Sequence, residues 1–149
     1  MTVRMRKKSK LLIGLSALMI TMTSTSAIAD TPHTWHVVNS NKGNWDARLQ
    51  MISEGGHFVA HDGSLLSEFT VNPLKSQEYG FVLDASDDFN VAYTLTLTQK
   101  DPQQFSLKAC VFVITATGPG KPDIRVASYN GAECIWKDVP GRGKDFFVA

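Results

Sequence analysis

One stretch in the carboxy-terminal third of the chain decides the fold. It reads Phe105-Ser-Leu-Lys-Ala-Cys-Val-Phe-Val-Ile-Thr-Ala-Thr-Gly-Pro-Gly-Lys-Pro-Asp-Ile-Arg-Val-Ala-Ser-Tyr-Asn-Gly-Ala-Glu-Cys-Ile-Trp136. The segment Ala109–Ile114 is apolar at every position, and such a short β-branched and aromatic run predicts a central strand that is covered on both faces. The glycines and prolines between 118 and 123 end this strand. Residues 124–137 then predict a hairpin of two further strands around the turn Asn130-Gly131.

Cys110 and Cys134 are the only cysteines of the chain. A hairpin centred on Asn130-Gly131 would place Cys134 opposite Ala127, so a plain three-strand meander would leave a whole strand between the two sulfur atoms. Second neighbours in a sheet are roughly 9–10 Å apart, whereas the Cα atoms of a disulfide lie within about 7 Å of each other. A Cys110–Cys134 disulfide therefore requires the loop 118–123 to carry the chain across a sheet or between two sheets.

Residues 1–29 are predicted to be a cleaved signal peptide. Cationic residues up to Lys10 precede the apolar run Leu11–Met22, and Ala27-Ile-Ala29 supplies the small residues of a cleavage site before Asp30. The apolar run is too short to span a bilayer comfortably, so no transmembrane anchor is predicted. We expect a bacterial protein that is exported to the periplasm or secreted, where cysteines oxidise. An intact mass beginning at Asp30 would confirm the cleavage site, and a retained Met1 would contradict it.

Removal of the signal peptide changes the charge of the chain. Five of the fifteen Lys and Arg residues and none of the fourteen Asp and Glu residues precede Asp30, so the remaining ten basic and fourteen acidic side chains give a net charge of −4. A mildly acidic domain whose basic residues are scattered lacks the clustered positive face of a nucleic-acid-binding protein. We therefore predict that nucleic acid is not a partner.

Residues 30–149 predict a single all-β domain, because about 120 residues are enough for one core and too few for two. Turn residues recur at intervals of roughly 8–12 residues, a spacing that indicates an antiparallel β-sandwich or, as the alternative, a small β-barrel. In Val91–Thr98 apolar residues alternate with threonines, which predicts a strand buried on one face. Helical periodicity is present only in Trp45–Ile52. The other predicted strands are Thr34–Asn39, Ala47–Ser53, His57–His61, Leu65–Asn72, Tyr79–Leu83 and Asp145–Val148.

His57, His61 and Asp62 form the most suggestive group of metal-ligating residue types. On a regular strand the two histidines would point to the same face, and two imidazoles beside a carboxylate are the beginnings of a metal site. Residues four apart on a strand are, however, about 13 Å apart, too far for one ion to bridge them without a bend. We therefore predict a structural role for these residues, no metal site and no cofactor.

Four aromatic residues are the candidates for contact with a ligand: Trp35, Trp45, Tyr129 and Trp136. In a β-sandwich most such side chains belong to the core, while one or two on the surface stack on sugar rings or anchor a protein partner. The sequence alone does not decide which of the four are exposed.

The sequence favours a non-enzymatic binding or interaction protein with a protein or carbohydrate partner, since no constellation of catalytic residues is evident. The first alternative is a small secreted hydrolase or metal-dependent enzyme that uses His57, His61 and Asp62. The second alternative is a structural protein associated with the cell envelope.

Overall fold

The computed structural model describes residues 33–84, 90–100, 107–117 and 121–149. The predicted signal peptide lies outside the described residues, as do residues 118–120 of the predicted Gly-Pro turn. The described strands are β1 His33–Asn39, β2 Trp45–Met51, β3 Gly56–Val59, β4 Glu68–Val71, β5 Ser76–Leu83, β6 Asn90–Lys100, β7 Leu107–Thr117, β8 Asp123–Tyr129, β9 Cys134–Val139 and β10 Gly143–Val148.

The strands form two five-stranded sheets, which confirms the β-sandwich over the closed barrel. Sheet A has the order β3-β5-β1-β10-β9, and sheet B has the order β4-β2-β6-β7-β8. All neighbouring strands are antiparallel except β1 and β10, which pair in parallel, so the predicted antiparallel sandwich is confirmed and contains one parallel pair. No helix among the described residues has the length and apolar character needed to cross a membrane.

Alternation of apolar and polar residues explains which face of each strand is buried. In β6, Val91, Tyr93, Leu95 and Leu97 are buried and the intervening threonines point outward, as predicted. The segment Trp45–Met51, which also had some helical periodicity, is a strand whose side chains alternate between buried and exposed. Tertiary burial of a period-two pattern therefore outweighs the local helical signal.

An aromatic cluster fills the space between the sheets. Tyr79 of sheet A and Tyr93 of sheet B are both buried, and their hydroxyl oxygens lie 3.2 Å apart. Burial raises the pKa of both tyrosines, which keeps the pair neutral and able to share a hydrogen bond. Phe58 packs edge-to-face on Tyr93 with ring centroids 4.9 Å apart, and Phe112 packs in the same way on Phe146. These contacts join β3, β5 and β10 of sheet A to β6 and β7 of sheet B.

A buried amide ties the sheets together at the β1–β2 connection. The side-chain nitrogen of Asn39 donates to the carbonyl oxygens of Gly43 and Val71, at 2.7 and 2.9 Å. Val71 ends β4 of sheet B, whereas Asn39 ends β1 of sheet A. Asn39 thus satisfies two carbonyl groups at the point where the chain changes sheet.

The chain also changes sheet after β8, and this crossing corrects two predictions. The turn at Asn130-Gly131 forms, with φ angles of 53° and 74°, but β8 and β9 then enter different sheets, so the predicted hairpin between them is wrong. The loop around 118–123 joins the direct neighbours β7 and β8 and does not carry the chain across. The predicted change of sheet was between β7 and β8, whereas the change occurs between β8 and β9. The Asn-Gly pair specifies a turn and does not specify whether the strands beside it pair with each other.

The predicted Cys110–Cys134 disulfide is present and joins the two sheets. Cys110 lies on β7 and Cys134 at the start of β9, with their Cα atoms 5.6 Å apart. A meander within one sheet would keep the two sulfur atoms apart. The chain avoids this arrangement, since β9 belongs to the opposite sheet and Cys134 faces β7 from there.

Removal of the disulfide should destabilise the sandwich substantially. The bridge closes a loop of 24 residues, for which the loss of unfolded-state entropy is worth about 3 kcal/mol. We expect the double variant Cys110→Ala/Cys134→Ala to lose about this much free energy of unfolding, measured by urea denaturation. Reductant should destabilise the wild type by a similar amount and leave the double variant unchanged. Equal stability of the two proteins without reductant would contradict the bridge.

Candidate functional site

His57, His61 and Asp62 do not converge in the structure. The strand β3 ends at Val59, so His61 lies in the following turn and not on the strand with His57, as was expected. His57 Nδ1 lies 2.7 Å from Asp84 Oδ1, whereas His61 Nδ1 lies 2.9 Å from Glu78 Oε1. The two histidines are therefore held by different carboxylates.

Asp62 organises its own turn. Its Oδ1 accepts hydrogen bonds from the backbone nitrogen of Ser64 at 3.0 Å and from the Ser64 hydroxyl at 2.6 Å. These hydrogen bonds lower the pKa of the Asp62 carboxyl group. Among the described residues, no three His, Cys, Asp or Glu side chains are placed to hold a metal ion together.

A row of charged residues crosses the outer face of sheet A instead. Strand register places His36 of β1 between Glu78 of β5 and Asp145 of β10, and Asp145 beside Lys137 of β9. We call Glu78, His36, Asp145 and Lys137 the charged row. Sequence reasoning missed it because its members are far apart in the sequence and only the parallel pairing of β1 with β10 brings them together.

His36 is held by charged side chains on both sides. Arg142 Nε donates to His36 Nδ1 at 3.2 Å. His36 Nε2 lies 3.5 Å from Glu78 Oε2. Because its neighbours are charged groups that neutralise one another, this arrangement has the character of a structural ion network.

Asp145 is the buried carboxylate of the row. Its Oδ2 lies 3.2 Å from Arg142 Nη2, while its buried Oδ1 has no hydrogen-bond partner and lies 3.6 Å from His36 Nδ1. A buried carboxylate requires compensating positive charge, which Arg142 supplies. The network therefore holds the parallel strands β1 and β10 together.

The four aromatic candidates occupy different environments. Trp45 is fully buried, so it belongs to the core and presents no surface to a ligand. Trp35 packs against Tyr93 and Phe146 at centroid distances of 6.0 and 5.7 Å. Trp136 is half-buried beneath the Lys144 ammonium, 4.8 Å from its ring centroid. Tyr129, 53% exposed, is the candidate most available to a partner.

Tyr129 lies at one corner of an uncharged surface on sheet B. Strand register places Thr98, Ala109 and Tyr129 in one cross-strand row and Thr96, Val111 and Ala127 in the next. We define the threonine–valine face as the uncharged outward side chains of β6, β7 and β8 in this region: Thr94, Thr96, Thr98, Leu107, Ala109, Val111, Val113, Ala127 and Tyr129. The opposite side chains of β7, including Cys110, Phe112 and Ile114, are buried in the core.

Charged pairs surround the threonine–valine face. Arg48 Nε lies 3.5 Å from Glu68 Oε1 on one side, and Arg125 Nε lies 3.2 Å from Asp123 Oδ2 on the other. An open depression of about 450 Å³ beside Thr98 is lined by polar side chains that include Asp46 and Thr70. The surface therefore combines an apolar centre with a polar margin.

The sequence contained the signal for this face. Ala109–Ile114 is apolar on both alternating sides, which predicted a strand covered on both faces. The structure buries Cys110, Phe112 and Ile114 on one side of β7, while on the other side Ala109 is buried and Val111 and Val113 are half-buried at the surface. Comparison with known proteins adds no functional information, because no protein-family model matches the chain and a search of curated proteins finds no significant match.

The structure predicts a specific titration for His61. Hydrogen bonding to Glu78, followed by its charge, raises the pKa of His61 above 6.5. The attraction between protonated His61 and Glu78 therefore stabilises the folded protein fully at pH values below 6.5, and this stabilisation is lost as the pH rises through the raised pKa of His61. We expect Glu78→Gln to return the His61 pKa toward 6.5, measured by NMR titration of the imidazole protons. Asp84→Asn, which removes the partner of His57, should leave it raised. An unchanged His61 pKa in Glu78→Gln would contradict the pairing.

Proposed function

We propose that the protein is an exported, non-enzymatic binding domain that engages a protein partner through the threonine–valine face. The observation that supports this proposal is the outward side of β7, where Ala109, Val111 and Val113 follow one another without a charge. Exposed apolar side chains extend this row at one end, since Leu107 is 48% and Tyr129 53% exposed.

The composition of the face suits a protein interface. With strands about 4.8 Å apart and a rise of about 3.3 Å per residue, the stretches of β6, β7 and β8 that form the face cover roughly 240 Å². Protein interfaces combine an apolar centre that lacks charge with a polar rim, and the ion pairs of Arg48 and Arg125 lie at such a rim.

A protein partner is favoured over a carbohydrate. Carbohydrate sites depend on aromatic rings that stack on sugar faces, beside polar groups that bind hydroxyls. The polar depression at Asp46, Arg48 and Thr70 lies at the opposite side of the sheet from Tyr129, three or more strands away. Phe69 also lines the depression, but its ring packs on Tyr79 with centroids 6.3 Å apart, so the exposed Tyr129 ring and the polar groups of the depression lie apart.

Export is supported by two independent features. Residues 1–29 have the organisation of a signal peptide, and the Cys110–Cys134 disulfide is typical of proteins in oxidising compartments. Both features fit the periplasm as well as the exterior of the cell.

The enzyme alternative has less support. His57 and His61 are each paired with a separate carboxylate, and the carboxylate of Asp62 is bound by Ser64. A role in the structure of the cell envelope is compatible with the same face, since assembly into an envelope also requires a protein partner.

A charge placed at the centre of the face should abolish binding. Val111→Lys puts an ammonium opposite Thr96 and Ala127, where a bound partner would have to bury it. We expect amide signals of residues on β6 to β8 to shift when isotope-labelled wild type is titrated with an envelope extract of the producing cells, and Val111→Lys to lose these shifts.

The matched control is Val38→Lys, a half-buried outward valine on the central strand β1 of sheet A. Both substitutions should change the free energy of unfolding by no more than about 1 kcal/mol. Shifts confined to sheet A, or shifts that survive in Val111→Lys and disappear in Val38→Lys, would overturn the assignment of the face. Shifts reproduced by purified envelope polysaccharide would replace the protein partner with a carbohydrate.

A further inference from the structure

We propose that β8 pairs edge to edge with β8 of a second copy of this chain, antiparallel, about a two-fold axis at Ala127. This pairing does not require that the threonine–valine face bind a partner, because it uses the backbone groups at the margin of sheet B and, of that face, only Ala127 and Tyr129 at the same margin.

The described edge strands differ in how well they are protected against such pairing. The edge strands β3 and β4 have only four residues each, and short edges offer little to an incoming strand. The edge strand β9 carries adjacent charges at Lys137 and Asp138. In contrast, β8 has seven residues, and its last four, Val126-Ala-Ser-Tyr129, are uncharged. It is therefore the least protected edge.

Beyond the buried Ile124, β8 is exposed on both faces. Cys134 places the start of β9 over β7, the inner neighbour of β8. As a result Val126 is 46% exposed although it points to the same side as the buried Phe112 and Ile114. In the described part of the chain, no strand pairs with the outer edge of β8. Its outward N–H and C=O groups are thus available to another strand.

The sequence of β8 is self-complementary in one antiparallel register. With Ala127 opposite Ala127 of the second copy, Arg125 lies opposite Tyr129 of the second copy and Tyr129 opposite its Arg125. Directly opposed side chains are about 5 Å apart, which allows the guanidinium to stack on the phenol ring in two symmetric cation–π contacts. Registers centred on Arg125 or Val126 instead place Arg125 opposite or diagonal to Arg125 of the second copy, where like charges repel.

This self-complementarity selects a second copy over a foreign strand. A two-fold interface requires one surface to supply both partners of each contact, and β8 carries the arginine, the tyrosine and the small residue at the axis. The pairing would join two sheets B into one continuous sheet of ten strands. Both threonine–valine faces would then lie on the same side of that sheet, and the dimer would present twice the surface of one copy.

Self-association should be detectable by sedimentation of the purified mature protein. An interface of a few residue pairs is small and therefore transient, so the measurement extends to about 1 mM, where weak complexes form. We expect the wild type to shift reversibly from monomer to dimer with concentration. Ala127→Lys and Ala127→Glu each place like charges at the axis and should weaken association about fivefold or more. Ile135→Lys, an equally exposed position on β9, should not.

A mixture of the two charged variants provides the decisive test of the two-fold axis. An equimolar mixture of Ala127→Lys and Ala127→Glu places opposite charges at the axis, so it should recover dimers that neither variant forms alone. A monomeric wild type throughout the concentration range would overturn the proposal, as would dimers that persist in Ala127→Lys. Failure of the mixture to associate while the wild type dimerises would overturn the register.

A cross-link tests the axis directly. Opposed Cα atoms in an antiparallel pair lie about 4.5–5.5 Å apart, within the range that a disulfide spans. We expect Ala127→Cys to form a covalent dimer under mild oxidation and Ile135→Cys to form much less. Equal cross-linking at both positions would indicate random collision and contradict the proposal.

The Val111→Lys variant separates the proposed pairing of β8 from the proposed function of the threonine–valine face. Because this substitution leaves the β8 edge intact, we expect the variant to lose partner binding and to retain dimerisation.

Discussion

The covalent link between Cys110 of β7 and Cys134 of β9 is the constraint on which the arrangement of the carboxy-terminal third depends. It holds the start of β9, an edge strand of sheet A, over β7, which is the second strand from the edge of sheet B. Beyond the buried Ile124, the side chains of β8 are exposed. This strand contributes Ala127 and Tyr129 to the threonine–valine face and its own backbone to the open edge.

Other contacts complete the joining of the sheets. The buried Asn39 amide bridges the two sheets at the crossing after β1, and the Tyr79–Tyr93 hydroxyl pair lies between β5 of sheet A and β6 of sheet B. On the outer face of sheet A, Arg142 compensates the buried charge of Asp145 beside the parallel strands. Gly143 permits this parallel pairing, since with φ of 96° a side chain there would be strained and its Cβ would lie 2.6 Å from the Thr34 carbonyl oxygen.

Local pattern in the sequence predicted the individual strands better than their pairing. Alternation in Val91–Thr98 indicated a strand with one buried face, and turn residues located most of the breaks. The partner of β9 was not predictable, because Asn130-Gly131 specifies a turn with positive φ and nothing about which sheet follows. The charged row also could not be predicted from local pattern, since only the pairing of the first strand with the last brings His36 beside Asp145. The double-sided apolar run of β7 correctly predicted a strand and wrongly predicted burial on both sides.

Hydrogen exchange of the β8 amides in dilute solution tests most directly the claim that this strand is held at an open edge. Antiparallel pairing with β7 directs alternate amides inward, so every second amide from Arg125 to Tyr129 should be protected and those between should exchange at nearly the unprotected rate. On β7, which has a neighbour on each side, successive amides should all be protected. Continuous protection along β8 at the same low concentration would show that another segment covers the edge, and would contradict the account.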